Sequence, residues 1–400
     1  MKRKIAIIGA GIAGSTLAYA LKQDGRFDLQ VFTAKSADEI RNGHIPSSQV
    51  HFNRLLETER RYGIPDYGSA NEIQAVQMFV AGQRMFKGHV HGRAISIDQR
   101  IYLAALLDGL YSAGIPVTKQ RIDEAALAEL ADEFDLIIDC TGKLGPTAPF
   151  PVYKGLRNAP EAPLRVCAAG IFYGLDPDGI NQMNYNIIPG LGELFETSTM
   201  TANGVARMVL HEAVPGSEMD GFRGVKGPEA FASAMREVLE KFFPHIAERI
   251  VKDEFRLVDE KAYVRIAFKP QVHVPYTTIN DTLVLACGDS AVLNDPVTGQ
   301  GANCASYCAD MLYRVIAEQA DHLWDISVGE LYWNRVQEYV VKMSEWTNAM
   351  TGAPSESFMA MMGNATQDQQ TADELVSLFT NPIQAHEVFF ASERKEAAPL

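Results

Sequence analysis

At 400 residues, with 47% hydrophobic and 22% charged residues, the chain has the length for two or three domains and the composition of a globular protein. A formal net charge of −14 excludes a basic face for nucleic acid or an anionic membrane. No apolar run approaches the roughly 18 residues of a membrane-crossing helix, and five cysteines without a C-x-x-C pair read as buried thiols of a reducing cytoplasm.

Taken in chain order, "KIAII" (4–8) reads as a buried strand and "IAGSTLAYALKQDG" as a helix that Gly25 ends; "DLQVFT" (28–33) is the next strand. The basic and then apolar start mimics a signal peptide, but its glycine spacing belongs to a βαβ unit. Residues 51–62 are predicted helical, 72–81 and 84–87 a strand pair, 98–115 an amphipathic helix, and 134–142 a buried strand entering a turn. From about 150 to 275 longer strand-like stretches alternate, broken by a helix at 228–242, which suggests a mixed or antiparallel sheet. "DTLVLACGD" (281–289) returns to a parallel-type strand, a helix runs from about 300 to 318, and the remainder is mainly helical with a polar tail.

Two glycine-rich elements carry the chemistry. "GAGIAG" places Gly9, Gly11 and Gly14 in G-x-G-x-x-G spacing between a strand and a helix, with Ala13 inside the motif. Gly9 makes the tight turn, Gly11 lets a pyrophosphate approach the backbone, and Gly14 lets helix and strand pack. The acidic residue expected at the end of the second strand is absent; Thr33 stands there and offers only a hydroxyl for a ribose. Almost 280 residues later comes "CGDSAVLNDPVTGQGAN". Gly288 and Asp289 end a strand, Pro296 and Gly299 bend the chain, and Gln300, Gly301, Ala302 and Asn303 start a helix whose unpaired N–H groups face a ligand. The Asp289 carboxylate suits ribityl hydroxyls, and the helix start suits the anionic edge of a reduced flavin. Together the elements point to FAD rather than NAD.

On these motifs, with "FDLIIDCTGK" and "GELFETSTM", the chain resembles FAD-dependent monooxygenases of the p-hydroxybenzoate hydroxylase fold. Among them it is most similar to the styrene/indole monooxygenase oxygenase subunits, and nearest to the indole branch. The resemblance implies an α/β fold: a Rossmann-like FAD-binding domain of the GR2 type, a mixed-sheet substrate domain and C-terminal helices. The domain reading assigns 1–45, 90–150 and 276–320 to FAD, 46–89 and 151–275 to substrate, and 321–400 to a helical region. Single-component relatives carry an Asp-Gly pair and an Arg after the mid-chain strand, where this chain has Asp139-Cys140-Thr141-Gly142-Lys143. The expectation is therefore FAD reduced elsewhere, by a small NADH-dependent flavin reductase that acts transiently or through diffusing cofactor.

The implied reaction uses reduced FAD and O2 to form a C4a-(hydro)peroxide that epoxidises indole (to indoxyl, then indigo), with styrene-like alkenes or sulfides as further substrates. Styrene monooxygenase proper and a self-reducing aromatic hydroxylase stay open as alternatives. Little acid–base machinery is expected; an apolar pocket that excludes water is. Ser47 and Gln49 match the indole branch, as does Ala94, whereas His51, Gln74 and Gln77 depart from it. These six are the substrate-binding candidates, with Ser47, Gln49 and Asn303 named for catalysis. A Gln or Ser accepting an indole N–H is the physical reason to favour indole. Arg100, which begins "RIYL", is placed near the FAD phosphates and His44 near the flavin edge. Cys304 and Cys308 share a helix face without matching ligands, so no metal is expected. A homodimer is the default assembly.

Overall fold

Strand β1 (Arg3–Ile8) is buried over its last four residues and pairs on both edges with parallel neighbours, as its run of isoleucines requires. The protein is represented by a computed structural model, in which residues 2–66, 71–142, 147–267 and 269–391 are described. Helix α1 (Ile12–Asp24) follows, ended by Gly25 in the left-handed region, and then β2 (Phe27–Thr33). The predicted helix at 51–62 is shorter: His51–Phe52 pair as a strand and α2 spans Asn53–Arg61. The predicted strand pair is a hairpin, β3 (Ala75–Val80) and β4 (Gln83–His89).

Helix α3 (Gln99–Ser112), β5 (Val117–Lys119) and β6 (Leu136–Asp139) complete the first half. Four long strands come next: β7 (Val166–Tyr173), β8 (Gln182–Ile188), β9 (Gly192–Thr201) and β10 (Gly204–Ala213). Helix α4 (Pro228–Phe242) covers them, and β11 (Arg256–Leu257) and β12 (Tyr263–Ile266) extend their sheet. The chain then returns through β13 (Tyr276–Ile279) and β14 (Thr282–Ala286) to α5 (Gly301–Glu318) and α6 (Ile326–Met350). Three shorter helices close the described chain: Glu356–Ala365, Gln369–Ser377 and Pro382–Phe389.

The strands form two main sheets. One has six strands in the order β13-β14-β6-β1-β2-β5, parallel except for β13. The other has eight, β11-β7-β10-β9-β8-β3-β4 with β12 also on β7, and is antiparallel except where β3 meets β8. Each is packed on a distinct apolar cluster: α1, α3, α5 and α6 cover the first sheet, and α4 covers the second. A third cluster joins β3 and β4 to the C-terminal helices through Trp346, Phe358 and Phe379. No helix among the described residues is long and apolar enough to cross a membrane.

Two glycines hold the first sheet to its helix. A Cβ on Gly14 would lie 1.9 Å from the Gly9 carbonyl oxygen, and one on Gly9, whose φ is +109°, would lie 2.2 Å from that of Cys140. No side chain fits in either place. The faces of α2 and α3 meet more expensively. Glu59 is buried and accepts a hydrogen bond from the Tyr102 hydroxyl, and burial pushes its carboxyl up to about 7. The folded state therefore favours the neutral acid, and its stabilising effect, full below the ordinary carboxylate range, is lost as pH rises through that value. Glu59→Gln keeps an acceptor and removes the charge. Urea midpoints are expected to show it near native stability at about pH 5 and roughly 2–3 kcal/mol more stable at about pH 8. Equal effects at both pH values would contradict the assignment.

Candidate functional site

The start of α1 is capped by Gly11 with no side-chain hydrogen bond and has no acidic residue in its first turn; α5 starts on Gln300 in the same way. Each leaves backbone N–H groups and the positive end of a helix dipole for a ligand. The two helices pack together through small residues. Gly288, with φ +76°, sits where a Cβ would lie 3.0 Å from that of Ala13 and 3.6 Å from that of Ala305. Nothing lies within 4 Å of a Cβ built on Gly11, so the ground in front of α1 is open. Gly299, left-handed at φ +65°, ends the short turn Pro296–Thr298 and releases the chain into α5.

Two adjoining cavities lie at this turn. One, of about 680 Å³, is lined by Pro46, Ser47, Asp289, Asp295 and Gly301. The other, of about 530 Å³, is walled by Phe52, Met183, Phe195, Met208 and Phe379. Ser48, Gln49, Leu210, Pro296 and Gly299 border both. The first is polar at the α5 start, the second mainly apolar, with Ser48, Gln49, Ser96, Thr197 and Thr298 among its lining.

This cleft fits FAD on the residues themselves. Gly11 and the open first turn of α1 suit a pyrophosphate, Asp289 lies in the short turn Gly288–Ser290 after β14, on the wall of the larger cavity, where ribityl hydroxyls would run, and the α5 start faces the same cavity. The loop before α2 is stitched to α5 by Asn303, which accepts from the Phe52 N–H at 2.9 Å and donates to the Val50 and Gly299 carbonyls. Gln49 reaches across so that its amide oxygen accepts from the Ala302 N–H at 3.3 Å, a long bond, while its NH2 donates to Ser47. Gln300 turns away and donates to the Thr298 and Phe379 carbonyls. Asn303 and Gln300 thus build the site's frame.

Several expected residues stand elsewhere. Arg100 is not available to a phosphate: its five N–H groups go to the Asp98 and Asp259 carboxylates and the Gly43 carbonyl. Those charges hold its guanidinium above its ordinary value despite burial. His44 is exposed, edge-on to Tyr263, and lines neither cavity. Thr33 donates its hydroxyl to the Lys35 carbonyl at 3.0 Å.

Of the substrate candidates, Ser47 and Gln49 border the cavities and four others do not. His51 is wholly buried against Tyr102 and Gln99, and burial depresses its imidazole to about 4. Gln74 is exposed before β3. Gln77 points to the reverse of its sheet, where it donates to Asp178 beside Asn184. Ala94 is buried in the third cluster opposite Phe52. The period of two in a strand is the reason: Gln77 and Asn184 share one face, and Met183 is on the other. The sequence reading expected an apolar pocket but named none of its wall residues, whose signal was the alternation in "NQMNYNII", "ELFETSTM" and "ARMVLHE".

Asp139 at the end of β6 accepts from Thr141 and from the Thr147 and Ala148 N–H groups; Lys143 lies outside the described residues. Cys304 and Cys308 are buried on α5 with their sulfurs 3.9 Å apart.

Comparison with known proteins agrees with this architecture. The family described as "Styrene monooxygenase A putative substrate binding domain" matches residues 142–249. Styrene monooxygenase StyA of Pseudomonas sp is 30% identical over 98% of this chain and 97% of its own. Among solved structures, a flavoprotein/dehydrogenase from Cytophaga hutchinsonii superimposes with a TM-score of 0.70 at 14% identity, over 98% of each chain. The 2-methyl-3-hydroxypyridine-5-carboxylic acid oxygenase does so with a TM-score of 0.64 at 15% identity, over 96% of this chain and 98% of that one. The fold is that of the p-hydroxybenzoate hydroxylase-like FAD-dependent monooxygenases. With a relative this similar along its whole length, the chain belongs to the styrene monooxygenase oxygenase family and is a flavin-dependent monooxygenase.

Proposed function

We propose that the protein is the oxygenase component of a two-component epoxidase. It takes FAD already reduced by a separate NADH-dependent reductase and oxidises the double bond of a small arylalkene, indole above all. The observation that carries this reading is the shared wall: an apolar chamber abuts a polar, glycine-lined cleft across Gln49, Pro296 and Gly299. When bound, reduced FAD activates O2 and supplies one oxygen atom to the alkene. Gly11 and the α1 start would hold its pyrophosphate, Asp289 its ribityl chain, and the α5 start the anionic edge of its ring.

The protein's own work is positioning and drying. Phe52, Met183, Phe195, Met208 and Phe379 keep water from the chamber and give an aromatic ring a surface to lie on. Gln49 is the polar group on the shared wall that suits an indole N–H, because its amide oxygen is held only by a long bond to Ala302. Styrene has no N–H, and its oxidation is the second reading, favoured by the names of the relatives. Asp139, engaged in its loop, offers no second nucleotide grip, which supports an external reductase. Five buried free thiols support a reducing, cytoplasmic setting.

The chain supplied with chemically reduced FAD in air is expected to turn indole into indigo and styrene into styrene oxide. NAD(P)H with oxidised FAD alone should leave the flavin yellow. Absence of both products would overturn the epoxidase, and bleaching without reductase would overturn the two-component scheme. Gln49→Leu is expected to lower kcat/KM for indole by roughly tenfold while changing that for styrene less than about threefold. An equal loss on both substrates would remove Gln49 from substrate recognition.

A further inference from the structure

A pair of carboxyl groups behind the cofactor cleft has no part in the scheme so far. Glu212 on β10 is in register with Cys167 of β7 and Glu193 of β9, on the sheet face that brings Leu210 and Ala169 to the cleft. It is wholly buried, and neither of its carboxylate oxygens meets a hydrogen-bond donor among the described residues. Arg165 is already engaged: it holds Glu193 through two bonds of 2.7 Å and donates to the Leu164 and Thr351 carbonyls.

What meets Glu212 is a second acid, Asp295, itself 2% exposed and on the cleft wall immediately before Pro296. One Asp295 oxygen accepts from the Val297 N–H. The other groups around the pair are the Cys167 thiol, the Tyr185 hydroxyl, which is also buried without a partner among the described residues, and the Arg165–Glu193 ion pair. Two carboxylates in contact out of water, one of them without a donor, do not both stay ionised; a shared proton makes one the donor to the other. Burial raises both carboxyls above the ordinary range, and the neighbouring acids raise Glu212 further.

We propose that Glu212 and Asp295 hold one proton between them at neutral pH and that Asp295 passes it to the oxygen atom that leaves as water. The proposal rests on the oxygenase reading above. Anionic reduced flavin, O2, an alkene and one proton give oxidised flavin, an epoxide and water. The flavin gives up two electrons and one hydrogen, the O–O bond breaks, and one oxygen forms two C–O bonds. The other oxygen takes the flavin hydrogen and the dyad's proton, which solvent then replaces. Asp295 lines the larger cavity beside Pro296, where the cofactor would lie; Glu212 is a positioning residue that sets the proton's place.

Infrared spectra of the full chain, without flavin, read the dyad directly. Beside the Glu59 band, which fades as pH rises through about 7, a second carbonyl stretch of a buried neutral carboxylic acid is expected to persist above that pH and to vanish in Glu212→Gln. Asp295→Asn, which keeps the cap on Val297, is the second variant should the first not fold. Single turnovers of the protein loaded with reduced FAD, mixed with styrene in air, read the delivery. Return of oxidised-flavin absorbance is expected to depend on pH in the native protein, and to slow about 100-fold with a flattened profile in the variant. A native spectrum without the neutral-acid band, or a variant with native rate and pH profile, would overturn the proposal. Failure to bind reduced FAD would instead defeat the oxygenase reading and the delivery with it, while the infrared band reports the dyad independently.

Discussion

The close approach of α1 and α5 is the constraint on which the site depends. Neither helix is capped by its own N-cap side chain, although Gln49 reaches the Ala302 N–H of α5, and the two helices come together where Gly288 lets the turn after β14 pass against Ala13 and Ala305. A larger residue at Gly14 or Gly9 would part backbones that now touch, and one at Gly288 would crowd the Ala13 and Ala305 methyl groups. Small residues are thus required twice, once to bring the helix ends together and once to leave room before them. An anionic cofactor is the natural complement of two such ends.

The eight-stranded sheet divides its labour by face. On the cleft side Met183, Phe195, Met208 and Leu210 make a wall with few polar groups. On the reverse, Glu196 is wholly buried between Arg207 and Arg249 and accepts from Asn184. Ion pairs of this kind gain little net stability when desolvated, but breaking one leaves an unpaired buried charge. They fix the register of β8, β9 and β10, and register decides which residues face the chamber. A slip of one position would exchange Met183 for Asn184 and wet the site.

Much of the fold was legible because its signals are local. The glycine spacing of "GAGIAG", the helix at 228–242 and the turn at 294–303 each act within a few residues, and each stands where the pattern puts it. The site residues were harder. Ser47 and Gln49 border the cavities, but Gln77 and His51 do not, since a strand's phase and a buried histidine's neighbours are set by distant partners such as Asp178 and Gln99. Arg100 shows the same limit: Asp259, which helps occupy its guanidinium, is 159 residues away in sequence. The apolar chamber is assembled from several elements at once, and no single stretch announces it.

The central claim is that two helix starts without an N-cap side-chain bond of their own form a cleft matched to an electron-rich flavin. Its most direct test is the dissociation constant of FAD in its two redox states, measured anaerobically by fluorescence on the purified chain. Reduced FAD is expected to bind at least about tenfold more tightly than oxidised FAD, the scale of a helix-end interaction with one added charge in a partly buried site. Equal affinity, or preference for the oxidised form, would contradict it.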